Sequence, residues 1–444
     1  MSEIDPLHLP ASSSYLPAKR RPSAGSAKSH GHNDDAKIDA PKEYVFRYDS
    51  LWHMETGAVN LISVHQLVED WVIRPWGEAA GLTASGNGRL LELIPTAILS
   101  LYAGGMQHEI FGHGARFREI GFGTKSDLRF WKLKFGQVAI TGNSYYIKNN
   151  KSPYIDRLGR ISAAGGMEAT QVMSKRIAQQ TAIGGGGYDL GWLYLDTKLD
   201  TTEYILANSP AIRRGIVYPY LEEFNQAVFK ISSSAFDISS YWRLMGELRL
   251  EELVDQYGLK TVLDNDLWHG PNFNFRAIDA GALWNALDPT LWYSAYRVYD
   301  YIDTGRDTFS PPSFLPRTNF ALTTRGPDFY FRLPFKADGT TLFDPYIRST
   351  ANHSENNFGA GLEMHNLYLG HLSGAAFTVN PELHGWYKAG WQGGFGYSLG
   401  TGISAQIQDR FSIGGGGYYK TEGPLMGKVE NAGFQWYLQA GISL

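Results

Sequence analysis

The chain has 444 residues, 50 of them Gly and none Cys, and a formal charge of −4. That length predicts enough core for two or three domains, while the lack of Cys excludes disulfide scaffolds, thiolate metal sites and cysteine nucleophiles. Forty Lys and Arg against 44 Asp and Glu give no basic field for nucleic acid. A mean hydropathy of −0.27 excludes repeated apolar helices, although strands that alternate in polarity escape that average.

Residues 1–43 read as a disordered tail, because Ser12, Ser13, Ser14, Pro17 and the Arg20-Arg21-Pro22 run leave too little apolar surface to order the chain. No basic stretch followed by an apolar run opens the sequence, so no signal peptide is visible. From 44 to 310 the pattern is mainly helical. Val59, Leu61, Ile62, Val64 and Val68 mix with His65, Glu69 and Asp70 as on an amphipathic helix. Leu90 to Met106 is more apolar, but Glu92, Pro95 and Gly104 interrupt it, so a buried core helix is expected there. Gly165 to Gln180, Tyr241 to Tyr257 and Leu283 to Tyr301 also read as helices, and the alternation of Leu128 to Tyr146 predicts a β-hairpin.

Pro311, Pro312 and Pro316 mark a boundary, after which period two replaces helical periodicity. In Phe395 to Gln408 apolar or aromatic residues take nearly every odd position, and Gly, Ser and Gln take every even one. The last residues, Phe434 to Leu444, repeat the pattern. Roughly eight such runs predict a closed antiparallel β-barrel over 311–444. The ending on an apolar position of an alternating strand resembles the terminal strand of bacterial outer-membrane proteins, which usually end in Phe where this chain has Leu444. That resemblance implies a membrane-embedded barrel, lipid neighbours and a bacterial outer-membrane location. The expected fold is thus α+β: a helical, metallopeptidase-like region followed by a barrel of about eight strands.

The string Gln107-His108-Glu109-Ile110-Phe111-Gly112-His113-Gly114 carries the chemistry. It is one residue longer than the HExxH pattern, in which two His four apart share one helix face. A spacing of five turns a regular helix by ~500°, leaving the second imidazole about 140° away from the first. Both rings reach one metal only if an inserted residue widens the helix into a π-bulge, and Gly112 and Gly114 would tolerate that distortion. This HExxGH form resembles the zinc motif of the dipeptidyl peptidase III family. The resemblance implies that His108 and His113 bind Zn²⁺, that Glu109 is the general base, and that a Glu on a later helix, here Glu168, completes the site. The family normally carries paired acids there, which Met167-Glu168 lacks. Glu119, His65 and Glu69 are rival third ligands.

Such a site would leave one position on zinc for a water whose pKa falls to about 7. Glu109 would take its proton and pass it to the leaving amine. Tyr145, Tyr146, Arg157, Arg160 and His269 are candidates to stabilise the oxyanion. The 128–146 hairpin could hold an extended peptide at its edge. These features predict a zinc metallopeptidase acting on a peptide or protein substrate, including a lipid-linked one. The alternatives are a zinc amidase or esterase for a lipid or cell-envelope component, and a non-enzymatic barrel with a structural metal site. Gly184–Gly187 and Gly414–Gly417 lack the GxxxxGK[ST] phosphate-loop pattern and read as turns.

Overall fold

In the computed structural model residues 42–119, 154–208 and 275–444 are described, apart from 324–325, 338, 352–356, 389–393, 409 and 430. The 128–146 hairpin, the 241–257 helix, the tail before 42, and Tyr145, Tyr146 and His269 lie outside the described residues. Arg157 and Arg160 fall where only the backbone of a helix is described.

The alternating runs form strands as expected. β2 is Arg317–Thr323, β3 Gly326–Arg332, β5 Leu342–Thr350, β6 Asn357–His365, β8 Ala375–Lys388, β9 Gly394–Ile407, β10 Phe411–Lys420 and β11 Gly433–Ser443, with short β4 (Phe335–Lys336) and β7 (Leu367–Leu372) beside them. One further strand, β1 (Glu43–Tyr48), precedes all the helices and pairs antiparallel with β11. Together they make an eleven-stranded sheet in the order β1-β11-β10-β9-β8-β6-β5-β3-β2.

The expected closed barrel of about eight strands is not formed. β1 and β2 end the sheet on opposite sides and do not pair. Alternation reports that a strand has two unlike faces, but not whether the last strand meets the first.

The two edges are sealed by helices instead. An edge strand carries unpaired N–H and C=O groups that need partners. Beside β1 lies α1 (Met54–Val68). Its Asn60 accepts from the Arg47 N–H at 2.6 Å and donates to the Arg47 carbonyl at 2.9 Å, as a neighbouring strand would. Ser63 does the same for Val45, at 2.9 and 2.6 Å. At the far edge, where all seven residues of β2 are buried, the neighbours are α5 (Tyr154–Gly184), α6 (Tyr188–Asn208) and α7 (Phe275–Ala286). The Phe320 N–H donates to Gln171 of α5 at 3.4 Å, and Lys198 of α6 donates to the Thr318 carbonyl. Gly281 lets α7 lie against the Phe320 ring, since a Cβ there would come within 2.4 Å of a ring carbon. The remaining helices are α2 (Arg74–Ala79), α3 (Gly86–His108), α4 (Gly114–Glu119) and α8 (Pro289–Thr304).

The interior between sheet and helices is largely polar. Lys175 of α5 pairs with Glu55 at 2.7 Å and Glu363 at 3.5 Å, and Arg332 bridges Glu363 and Asp344 at 3.1 and 3.0 Å. Gln179 donates to Asp344 and Glu363 at 2.8 and 2.9 Å. A buried charge is tolerated only when such partners offset its lost hydration.

The Leu90–Met106 expectation is also corrected. Leu90, Leu91, Ile94, Ile98 and Leu101 are each about half exposed, while Arg89, Glu92, Thr96 and Ser100 face inward and are buried. The helical period is as read, but its two faces are exchanged.

Replacing Asn60 by Ala should strip both Arg47 backbone groups of their partner and lower stability by about 1–3 kcal/mol. Thermal unfolding of the variant beside the parent protein checks this. An unchanged midpoint would show that the edge does not need the amide.

Candidate metal centre

The motif lies where α3 runs into α4. Between them, Glu109–His113 is a π-helical turn, and the Gly114 N–H donates to the Glu109 carbonyl five residues back. This is the widening that a five-residue His spacing requires for convergence. The His108 and His113 rings lie 5.0 Å apart between centroids, at 73° to each other. Each residue is only 9% exposed. His108, Glu109 and His113 each offer a ligand atom, and these atoms lie within 4.8 Å of one another.

Gly166, on α5, is the floor of this group. A Cβ built there would sit 2.3 Å from His108 Nε2 and 2.6 Å from His113 Nε2. One point in space is therefore near both ring nitrogens, and it is free because residue 166 has no side chain. Zinc takes imidazole nitrogens at about 2.0–2.1 Å, so a small cation suits the same hollow. The neighbouring glycines bring the helices close enough for this. A Cβ on Gly112 would lie 2.7 Å from the Gly165 carbonyl, and one on Gly165 would lie 2.9 Å from the Gly112 carbonyl. Gly112 thus serves a backbone-to-backbone crossing with α5, beyond the tolerance for distortion that the sequence suggested.

Glu168, expected as third ligand, lies two residues beyond Gly166 but is committed elsewhere. One carboxylate oxygen is ion-paired with Arg116 of α4, and the other accepts from the Gly427 N–H at 2.8 Å. The carboxylate is outside the compact group of His108, Glu109 and His113. The Gly427 N–H reaches it from a buried loop after β10, where Gly427 has φ of +80° and a Cβ would press on Val172 at 2.9 Å. Arg116 also pairs with Glu119 at 2.8 Å and donates to the Lys428 carbonyl at 3.0 Å.

The other rivals are equally engaged. His65 shares a hydrogen bond with Ser100 at 3.0 Å, and Glu69 accepts from Tyr188 at 3.4 Å. Gln107 ties the motif to its neighbours by donating to the Met54 and Ala169 carbonyls at 3.0 and 2.9 Å.

A second polar hollow of about 170 Å³ lies between α1, α5 and the sheet. Arg47, His53, Glu363 and Lys428 line it, and His53 Nδ1 is 2.9 Å from Asp49. It shares no residue with the metal group.

Sequence reasoning missed the part played by Gly166. The signal was the small-residue run Ala163-Ala164-Gly165-Gly166, which pointed to close helix packing without naming what approaches it.

Comparison with known proteins brings no relative: no family model, no curated protein and no solved structure matches the chain. The likeness to the dipeptidyl peptidase III family therefore rests on the His108–His113 string alone.

Two substitutions probe this geometry. Gly166→Ala should place a methyl group between the two imidazoles and weaken divalent metal binding by roughly 10- to 100-fold, with helix content retained because Ala is the better helix former. Titration with Zn²⁺ followed by calorimetry measures it. Arg116→Ala should cost about 3–5 kcal/mol by leaving the Glu168 carboxylate buried without its cation, read as a lower unfolding midpoint.

Proposed function

We propose that the protein is a metal-dependent hydrolase, with His108 and His113 holding Zn²⁺ and Glu109 as the general base. The observation that carries this reading is the convergence of two imidazole nitrogens and one carboxylate over Gly166, at a helix turn widened for that purpose. Two His and a carboxylate without any thiolate suit zinc best among common ions.

A divalent ion here supplies a Lewis acid that makes a nearby water acidic enough to lose a proton near neutral pH. Glu109 is placed to accept that proton and return it to the leaving group. Glu168 acts at one remove. Its pairing with Arg116 and the Gly427 N–H fixes α5 against α4, and so fixes Gly166 beneath the rings.

A peptide bond is the first substrate choice, in keeping with the motif's resemblance to metallopeptidases. A second reading, hydrolysis of an amide or ester in a lipid-linked or envelope component, is favoured by one observation. The helix that ends at His108 carries the exposed Leu90–Leu101 stripe, so an apolar surface leads to the motif.

Glu109→Gln should lower hydrolysis by about 10²–10⁴-fold, the usual share of a general base, while stoichiometric metal remains. Elemental analysis and turnover of peptide and acyl-amide substrates by the same preparation test both halves. Full activity in the variant, or a parent protein that holds no zinc and is unaffected by a chelator, would overturn the proposal.

A further inference from the structure

The outward surface repeats one reversal on every kind of element. On α3 the charged Arg89 and Glu92 are buried and satisfied: Arg89 donates to the Ile302 and Asp303 carbonyls, and Glu92 accepts from the Tyr301 hydroxyl at 2.6 Å. The apolar positions between them, Leu90, Leu91, Ile94 and Ile98, face out. On α8, Ser294, Arg297 and Asp300 are buried whereas Trp292, Tyr296 and Tyr299 are more than half exposed. On the sheet, Asp344, Arg348, Glu363 and His384 point inward, while Ile347, Phe358, Leu383 and Ile403 point outward. A protein bathed in water on this face would carry the opposite pattern.

The exposed face has the dimensions and the trim of a bilayer contact. Along β9 the outward residues run from Phe395 to Ile407, about 40 Å of strand, which spans roughly 28 Å when tilted by about 45°. That matches the apolar band of a membrane-embedded sheet. Aromatic residues gather toward one end of the strands. Phe358, Tyr387 and Phe395 are register partners across β6, β8 and β9, and Tyr419 pairs with Phe434 across β10 and β11. All five are exposed. Aliphatic Ile403, Ile407 and Ile413 take over toward the other end. Aromatic rings at one rim of an aliphatic band are the mark of a membrane–water interface.

Irregular edges are not tolerated in hydrocarbon, and here both sheet edges have helical side chains hydrogen-bonded along them. Among the described residues no helix is long and apolar enough to cross a membrane on its own, so any apolar belt has to be shared between helices and sheet.

We propose that this outward face is a lipid-contacting belt, formed jointly by the sheet from β5 to β11 and by α3 and α8, that seats the protein in a phospholipid bilayer. A second copy of the chain is the rival occupant. The reversal runs across six long strands, about 24 Å at the usual spacing of strands, and continues on two helices, which is broader than one self-complementary patch requires. The belt stands independently of the metal chemistry.

The chain has no Cys, so single-cysteine variants of the full chain can carry one nitroxide label each. Labels at Ile98→Cys on α3 and Ile403→Cys on β9 are compared with Arg306→Cys, whose side chain is 61% exposed beyond α8. Each variant is reconstituted into phosphatidylcholine vesicles, and collisions with oxygen and with a water-soluble nickel chelate are measured. At Ile98 and Ile403 oxygen access should exceed nickel access several-fold, with the ratio reversed at Arg306. Three results would overturn the proposal: nickel access at both belt sites equal to that at Arg306, shielding of both sites from both reagents as in a protein–protein contact, or failure of the folded protein to float with the vesicles.

Discussion

A sheet that does not close carries two rows of backbone groups that must be answered, and in this molecule the answer comes from helix side chains. Asn60 and Ser63 of α1 meet β1, while Gln171 of α5 and Lys198 of α6 meet β2. The helices are therefore placed by hydrogen-bonding need as much as by apolar packing. This fixes α5 most tightly. Gln171 engages the sheet edge, and five residues earlier Gly166 supports the two imidazoles. Sliding α5 by one turn, about 5.4 Å, would break both arrangements at once.

The same helix explains the polar interior. Thr170, Gln171, Ser174, Lys175 and Gln179 are all buried, so α5 offers the sheet a file of donors and charges. The inner face of the sheet answers with Asp344, Glu363 and Arg332. Each of these ions would be costly alone, and their value lies in pairing only in one alignment. Wrong registers leave several charges unpaired in a low dielectric, which is a sharper penalty than misfitting methyl groups impose.

The metal group was the most legible feature in the sequence, because five-residue spacing admits few geometries that let both imidazoles converge. The strands were legible too, since period two is imposed by the backbone itself. Closure was not: it depends on what lies beside Arg317 and Glu43, and no local pattern records that. The inward face of α3 escaped for a related reason. Arg89, Glu92, Thr96 and Ser100 have the same period as Leu90, Ile94, Ile98 and Leu101, so periodicity yields the two faces but not which one is turned inward. Glu168 was read as a ligand because its charge and helix were right. Its actual partner, Arg116, lies 52 residues away in sequence on the helix after the motif, a pairing visible only once the two helices cross.

That crossing ties the motif to its surroundings through helical phase. One extra residue in the Glu109–His113 turn advances everything after it by about 100° relative to an uninterrupted helix. Arg116 lies downstream of the widened turn, and its guanidinium meets Glu168 only in that advanced phase. A chain with the shorter HExxH string could still bring two rings to one ion, yet its next arginine would point away from α5. The inserted residue thus sets a frame in which ligand spacing and helix anchoring agree. A change of motif length, in evolution or by design, would have to move the arginine in the same step.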